Sequence, residues 1–160
     1  MAIVTLSPDV LFVGSSFSYD FNERQWTGGT RRLLERLAPA TKRLVMIRAT
    51  PRLPFDAIDC LARRVEAGER SGAACTADWN GAENTRVWGS IGAAAAGYGN
   101  VTLLDLNELV CPAGHCQAER EDGRVVFRDK FHITASFAAA KLAVIWNLSR
   151  KTTLPSSRSA

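Results

Sequence analysis

Three short runs of consecutive apolar residues punctuate the chain: "VLFVG" (Val10–Gly14), "RLVMIRA" (Arg43–Ala49) and "VTLLDL" (Val101–Leu106). Runs of this length, rich in Val, Leu and Ile, read as strands buried on both faces, as in a parallel sheet. Between them the apolar positions switch to helical spacing. "GTRRLLERLA" places Leu33, Leu34 and Leu37 on one face behind Thr30 as N-cap, and "FDAIDCLARRVEAG" does the same with Ile58, Leu61 and Val65. A third helix is expected from about Glu83 through "GSIGAAAAGYG", and a fourth over "ASFAAAKLAVIWNL", with Phe137, Ala140, Val144 and Leu148 in register. Strands that alternate with helices predict an α/β fold: a three-layer arrangement of a parallel sheet with flanking helices and right-handed crossovers. Sites in such folds gather beyond the carboxyl ends of the strands.

With 160 residues, 46% of them hydrophobic, the chain suits one domain, expected over 1–150, followed by a polar, proline-containing end ("SRKTTLPSSRSA") that reads as a disordered tail over 151–160. No apolar run approaches the roughly 20 residues of a membrane span, and "MAIVTLSPDV" lacks the basic start and long apolar middle of a secretory signal. A net charge of +4 comes from scattered arginines rather than a basic block, so nucleic acid is not an expected partner.

Four cysteines, Cys60, Cys75, Cys111 and Cys116, permit three pairings, and their order suggests two local ones. In "CPAGHC" the proline and glycine favour a reversal that brings Cys111 and Cys116 within disulfide range. Zinc held with His115 is the weaker alternative, because the two-residue ligand spacing of zinc knuckles is missing and no second His stands near Cys60 or Cys75. Disulfides imply an oxidising compartment.

The segment "RDKFHITASFA" carries the clearest chemistry. Asp129 and His132 stand three apart in a turn ahead of a helix, a spacing at which a carboxylate reaches the imidazole, fixes its tautomer and stabilises the imidazolium formed on proton uptake. The bland reading is a turn-capping Asp beside an ordinary half-buried His. Ser16, in "GSSF" after the first strand, is the candidate nucleophile. Trp26 and Trp79, in expected loops, are either sugar-stacking platforms or core residues.

Asp-x-x-His followed by Ile-Thr and a C-terminal helix, and preceded by "LVCPAGHC" and a strand ending in "LLDL", resembles the closing block of the SGNH esterase/acyltransferase family. The narrower resemblance is to the SGNH domain at the C-terminus of membrane-bound O-acyltransferases that acetylate bacterial surface polysaccharides. "IRATPRLPFDAIDCLARR" is similar to that family's strand-Pro segment and Cys-Leu helix, and Cys75 falls where the partner of that cysteine is usual, so that Cys60–Cys75 and Cys111–Cys116 are the implied pairs. The resemblance runs from Pro8 to Leu148.

What it implies is an SGNH/flavodoxin-like fold and a Ser/His/Asp mechanism of O-acyl transfer or hydrolysis, with acetyl as the expected group. His132 would be the base, oriented by Asp129, with no metal or organic cofactor. The implied partners are an acyl donor or ester, a polysaccharide acceptor and a membrane acyltransferase domain in the parent protein, on the periplasmic or extracytoplasmic side of the inner membrane. Two alignments place the serine. In one, "GSSF" stands for the family's Gly-Asp-Ser block, with Ser15 replacing Asp, Phe17 in place of the following His, and Ser16 as nucleophile. In the other, which the order of "PDVLFVG", helix, strand and Pro51 favours, "VLFVG" is a middle strand, and the first strand with its nucleophile lies upstream of Met1 in a longer protein. The rival expectation is a truncated remnant without catalysis that at most binds carbohydrate.

Overall fold

The computed structural model describes residues 6–69 and 75–151. The chain divides into two compact units, one of Met1–Ala49, Ala82–Asp105 and Trp146–Ala160, the other of Thr50–Gly81 and Leu106–Ile145.

The first unit is built on a parallel sheet of three strands in the order β1 (Val10–Gly14), β2 (Arg43–Ile47), β4 (Val101–Leu104). Phe12 pairs with Val45, and Val45 with Thr102, so the carboxyl ends of all three strands lie at one edge. Helices α1 (Glu23–Leu37) and α3 (Ala82–Ala95) pack on this sheet, burying Leu34, Leu37, Val87 and Ile91 against Leu44 and Met46. The α/β class with a parallel sheet and flanking helices is therefore as the apolar runs predict.

Two expectations for this unit change. Central β2 buries Leu44, Val45 and Met46, but β1 is an outer strand, and its Val10 and Phe12 are exposed while Leu11 and Val13 pack inward. The helix expected behind Thr30 begins eight residues earlier, at Glu23. Asn22 is its N-cap: Oδ1 accepts from Gln25 N, and Gln25 Oε1 accepts from Asn22 N, both at 2.9 Å. This reciprocal pair satisfies two otherwise unpaired donors and draws Trp26 and Thr30 into the helix, where both are buried.

The second unit holds α2 (Ala57–Glu66), a short antiparallel pair of β3 (Thr76–Asp78) with β5 (His115–Gln117), the one-turn helix α4 (Asn107–Val110), and most of α5 (Ala135–Lys151). Its core joins Leu53, Ala57, Val110, Val126, Phe127 and Phe137 with Cys75, Cys111 and Cys116. Disulfides link Cys60 to Cys75 and Cys111 to Cys116, the local pairs, and leave no free thiolate for zinc. The Cys60 tether also resets the phase of α2. The inward stripe runs through Ala57, Cys60, Leu61 and Arg64, leaving Ile58 and Val65 exposed where burial was expected.

In α5 the covered stripe is Phe137, Lys141, Ile145 and Leu148, with the Lys141 ammonium 5.8 Å from the centre of the Phe137 ring. Ala140 and Val144, expected on that stripe, are exposed. Helix α5 runs on through Ser149 to Lys151, so the polar end begins inside a helix, and the remainder of the expected tail, 152–160, lies outside the described residues. Among the described residues no helix is long and apolar enough to cross a membrane.

Candidate active site

Asp129 and His132 meet in a tight turn of the second unit. The turn is closed by Arg128 N donating to His132 O at 2.8 Å and flanked by the antiparallel bridge of Phe127 with Ile133. Asp129 forms it from within: Oδ1 accepts from Phe131 N at 2.7 Å and from His132 N at 2.9 Å. This is the local side-chain-to-backbone bonding that suits Asp to turns. Two contacts from the Thr50–Leu53 segment fasten the loop, Thr50 Oγ1 donating to Phe131 O at 2.7 Å and Leu53 N to Lys130 O at 2.9 Å. Downstream, Thr134 Oγ1 donates to Val125 O at 2.6 Å and accepts from Phe137 N at 3.1 Å, so it anchors the turn and caps the first turn of α5.

The same carboxylate holds the imidazole. His132 Nδ1 lies 2.9 Å from Oδ1 and 2.8 Å from Oδ2 of Asp129. With Nδ1–H donating to the carboxylate, the Nε2 lone pair is left for an incoming proton. The Asp129 side chain is 29% exposed and that of His132 64%, so the imidazole faces solvent while the carboxylate is more sheltered. Burial works to raise the Asp129 pKa, but the hydrogen bond from Phe131 N, those from the His132 ring and backbone, and the charge of His132 outweigh it and hold the carboxyl well below the usual range. Arg128 Nη2, 3.4 Å from Oδ2, adds a surface ion pair, and the Arg52 guanidinium lies 4.9 Å from the centre of the neighbouring Phe131 ring.

Ser16 lies in the first unit, exposed, just past β1. Its Oγ shares a 2.5 Å hydrogen bond with Ser18 Oγ and accepts from Ser18 N at 3.2 Å, while Ser15 Oγ donates to the Ser16 carbonyl. Phe17, between them, is buried in the core. At Gly14 an added Cβ would meet nothing within 4 Å, so the glycine is not required by a close approach.

A second polar group at the carboxyl edge of this sheet was not evident in the sequence. Arg48, following β2, donates from Nε to Asn84 Oδ1 (2.6 Å), from Nη1 to Asp105 Oδ2 (2.7 Å) and from Nη2 to Thr85 Oγ1 (2.6 Å). Buried Asn84 also donates to Ala49 O at 2.9 Å. The network ties the ends of β2 and β4 to the start of α3, and it occupies both ends of the Asn84 amide. The only sequence hints are a basic residue directly after one buried strand and an acid directly after another.

A further His–carboxylate contact, His115 Nδ1 to Asp78 Oδ1 at 2.9 Å, joins β3 and β5. Trp79 sits in a loop as expected, packed on the second core and hydrogen-bonded to Gly114 O, whereas Trp26 belongs to α1. Among the described residues no group of three or more His, Cys, Asp or Glu side chains is arranged to hold a metal ion.

A family model described as "SGNH domain (fused to AT3 domains)" matches residues 2–145. A solved structure, the periplasmic domain of a lipopolysaccharide acetyltransferase from Salmonella ser. Paratyphi A, superposes with a TM-score of 0.65 at 14% identity, over 89% of this chain and 58% of that one. At that identity the likeness establishes the fold, and the chain spans little more than half the length of the domain it resembles. The neighbour is periplasmic, and two disulfides fit an oxidising, extracytoplasmic setting. No curated protein sequence matches the chain.

Proposed function

The chain belongs to the family of SGNH domains fused to AT3 domains, and from that premise we propose that it takes part in O-acyl transfer, of acetyl in the first instance, onto an envelope or exported polysaccharide. On this reading residues 1–150 form one SGNH-like domain that works on the periplasmic side of the inner membrane beside an AT3 acyltransferase domain of the parent protein. The observation that carries the proposal is the oriented pair: His132 Nδ1 held by Asp129 at 2.8 Å, with no partner at Nε2 among the described residues.

The chemistry follows from that pair. A serine hydroxyl attacks the acyl carbonyl while His132 Nε2 takes its proton, Asp129 stabilises the imidazolium, and the leaving oxygen takes the proton back. A sugar hydroxyl then gives up its proton to His132 as it attacks the acyl-serine, and His132 returns that proton to the serine oxygen as the acyl–serine bond breaks, leaving the new ester and the free serine. Water in place of the sugar gives hydrolysis.

The nucleophile is assigned to a serine block upstream of β1 in the parent protein, and Ser16 to the substrate side of the sheet. Supporting this, the partners of the Ser16 hydroxyl are Ser18 Oγ and Ser18 N, neither of which serves as a base at neutral pH. The same observation is what favours the second reading, a remnant that keeps the pair without its serine. The O-acetyl content of surface polysaccharide in cells that make the protein separates the two. His132→Ala removes the acetyl if the proposal holds and leaves it unchanged if the domain is a remnant.

A further inference from the structure

A cavity of about 250 Å3 opens in the first unit beside the carboxyl end of β1, walled by Val13, Leu33, Met46, Tyr19, Phe21 and Trp26. The sequence builds it in three steps. The capping box at Asn22 fixes the start of α1 and sets Trp26 one turn in, where its ring lies 6.2 Å from Tyr19 and 5.6 Å from Phe21. Tyr19 and Phe21 stack on each other at 5.7 Å, yet remain 55% and 45% exposed, so two aromatic rings stand at the mouth with unburied apolar surface. Gly29 then lines the cavity from inside α1, where a Cβ would meet nothing nearer than Arg32 Nη2 at 3.9 Å. A helix-interior glycine is less favourable than alanine, and its missing side chain leaves this part of the wall clear.

The lining is short of polar partners. Gln25 Oε1 is taken by Asn22 N, and the Ser15 hydroxyl donates to Ser16 O. That leaves the Thr30 hydroxyl, on a residue only 7% exposed, the Trp26 indole N–H, which is buried without a hydrogen-bond partner among the described residues, and, from residues nearer the solvent, the Tyr19 hydroxyl and the Gln25 amide N–H groups. A sugar ring would bring several hydroxyls to a wall that can satisfy few of them, at a cost for each one left unpaired. A chain that is apolar along its length and carries a carbonyl or carboxylate at one end matches both the wall and these few donors. At roughly 30 Å3 per water-sized group, the space holds about eight heavy atoms.

We propose that this cavity binds a short apolar acyl chain of about six carbons, a guest longer than acetyl. The inference goes beyond acetyl transfer and is read by binding alone, so its failure would leave the role of Asp129 and His132 untouched.

The test is titration of the purified 160-residue protein with hexanoate, followed by NMR, with acetate and methyl α-glucoside as comparison probes. Hexanoate should saturate one site and show contacts from its methylene protons to the rings of Tyr19, Phe21 and Trp26. Gly29→Leu, which fills the cavity, should weaken binding at least tenfold. Thr30→Val, nearly isosteric, should weaken it severalfold and keeps the test open if the leucine variant fails to fold. Absence of saturable hexanoate binding, equal or tighter binding of methyl α-glucoside, or unchanged hexanoate affinity in both variants would overturn the proposal.

Discussion

Asp129 Oδ1 accepts the backbone N–H groups of Phe131 and His132 and also lies 2.9 Å from His132 Nδ1, so one carboxylate both shapes the turn and holds the ring within it. The two tasks separate on substitution. In Asp129→Asn the amide oxygen still accepts from the backbone, but the amide is neutral and its nitrogen is a donor, so the ring loses the partner that fixes its tautomer. The expected result is a folded protein whose acyl transfer, measured in the parent protein that carries the serine, falls by about 10²–10⁴-fold in kcat with little change in KM. A steady-state comparison checks it, and an equal loss in the stability of the turn and in KM would point to a merely structural carboxylate.

The depressed pKa of Asp129 fixes the sign of an acid effect. A carboxyl whose pKa is lower folded than unfolded stabilises the fold fully above its ordinary value of 3.8 and loses that contribution as pH falls through the folded value. The stability difference between the natural protein and Asp129→Asn, followed by denaturant unfolding, should therefore narrow as pH falls below the ordinary carboxylate range.

The disulfides close loops of different length, with sequence separations of 15 for Cys60–Cys75 and 5 for Cys111–Cys116. Chain entropy gives about 3 kcal/mol for the first and about 2 kcal/mol for the second. Paired Cys→Ala substitutions should lower unfolding free energy in that order, with an added packing loss because Cys75, Cys111 and Cys116 are buried. Peptide mapping without reduction should recover both links.

For Ser16 the expectation is a missing adduct. Mixing the chain with an activated acetyl ester should leave its intact mass unchanged at Ser16, and Ser16→Ala should alter acyl transfer by less than about tenfold, against the loss of several orders of magnitude that follows removal of a nucleophile. An acyl group found on Ser16 would move the nucleophile into this chain.

What was legible in the sequence was local. The bounds of β1 were readable because an apolar run ends at Gly14 there, and Asp129 and His132 were readable as a pair because three residues of turn bring them together whatever surrounds them. The start of α1 was missed because Gly28 and Gly29 look like a loop, while the Asn22–Gln25 cap that overrides them is a single polar pair. The phases of α2 and α5 were misjudged for a related reason. In α2 the Cys60–Cys75 link sets which face turns inward, and in α5 the stem of Lys141 serves as an inward-facing position although lysine does not count as apolar in a simple pattern. The Arg48–Asn84–Asp105 network joins residues up to 57 apart in sequence, and no spacing rule reaches that far.

The central claim is that His132, held by Asp129, is the base of an acyl transfer to polysaccharide. Its most direct measurement is the rate at which labelled acetyl enters polysaccharide in membranes from cells that make the protein, compared with membranes carrying His132→Ala at equal protein abundance. The account predicts a fall of at least about 10²-fold, the usual contribution of a positioned general base. A rate within twofold of the unsubstituted protein would contradict it.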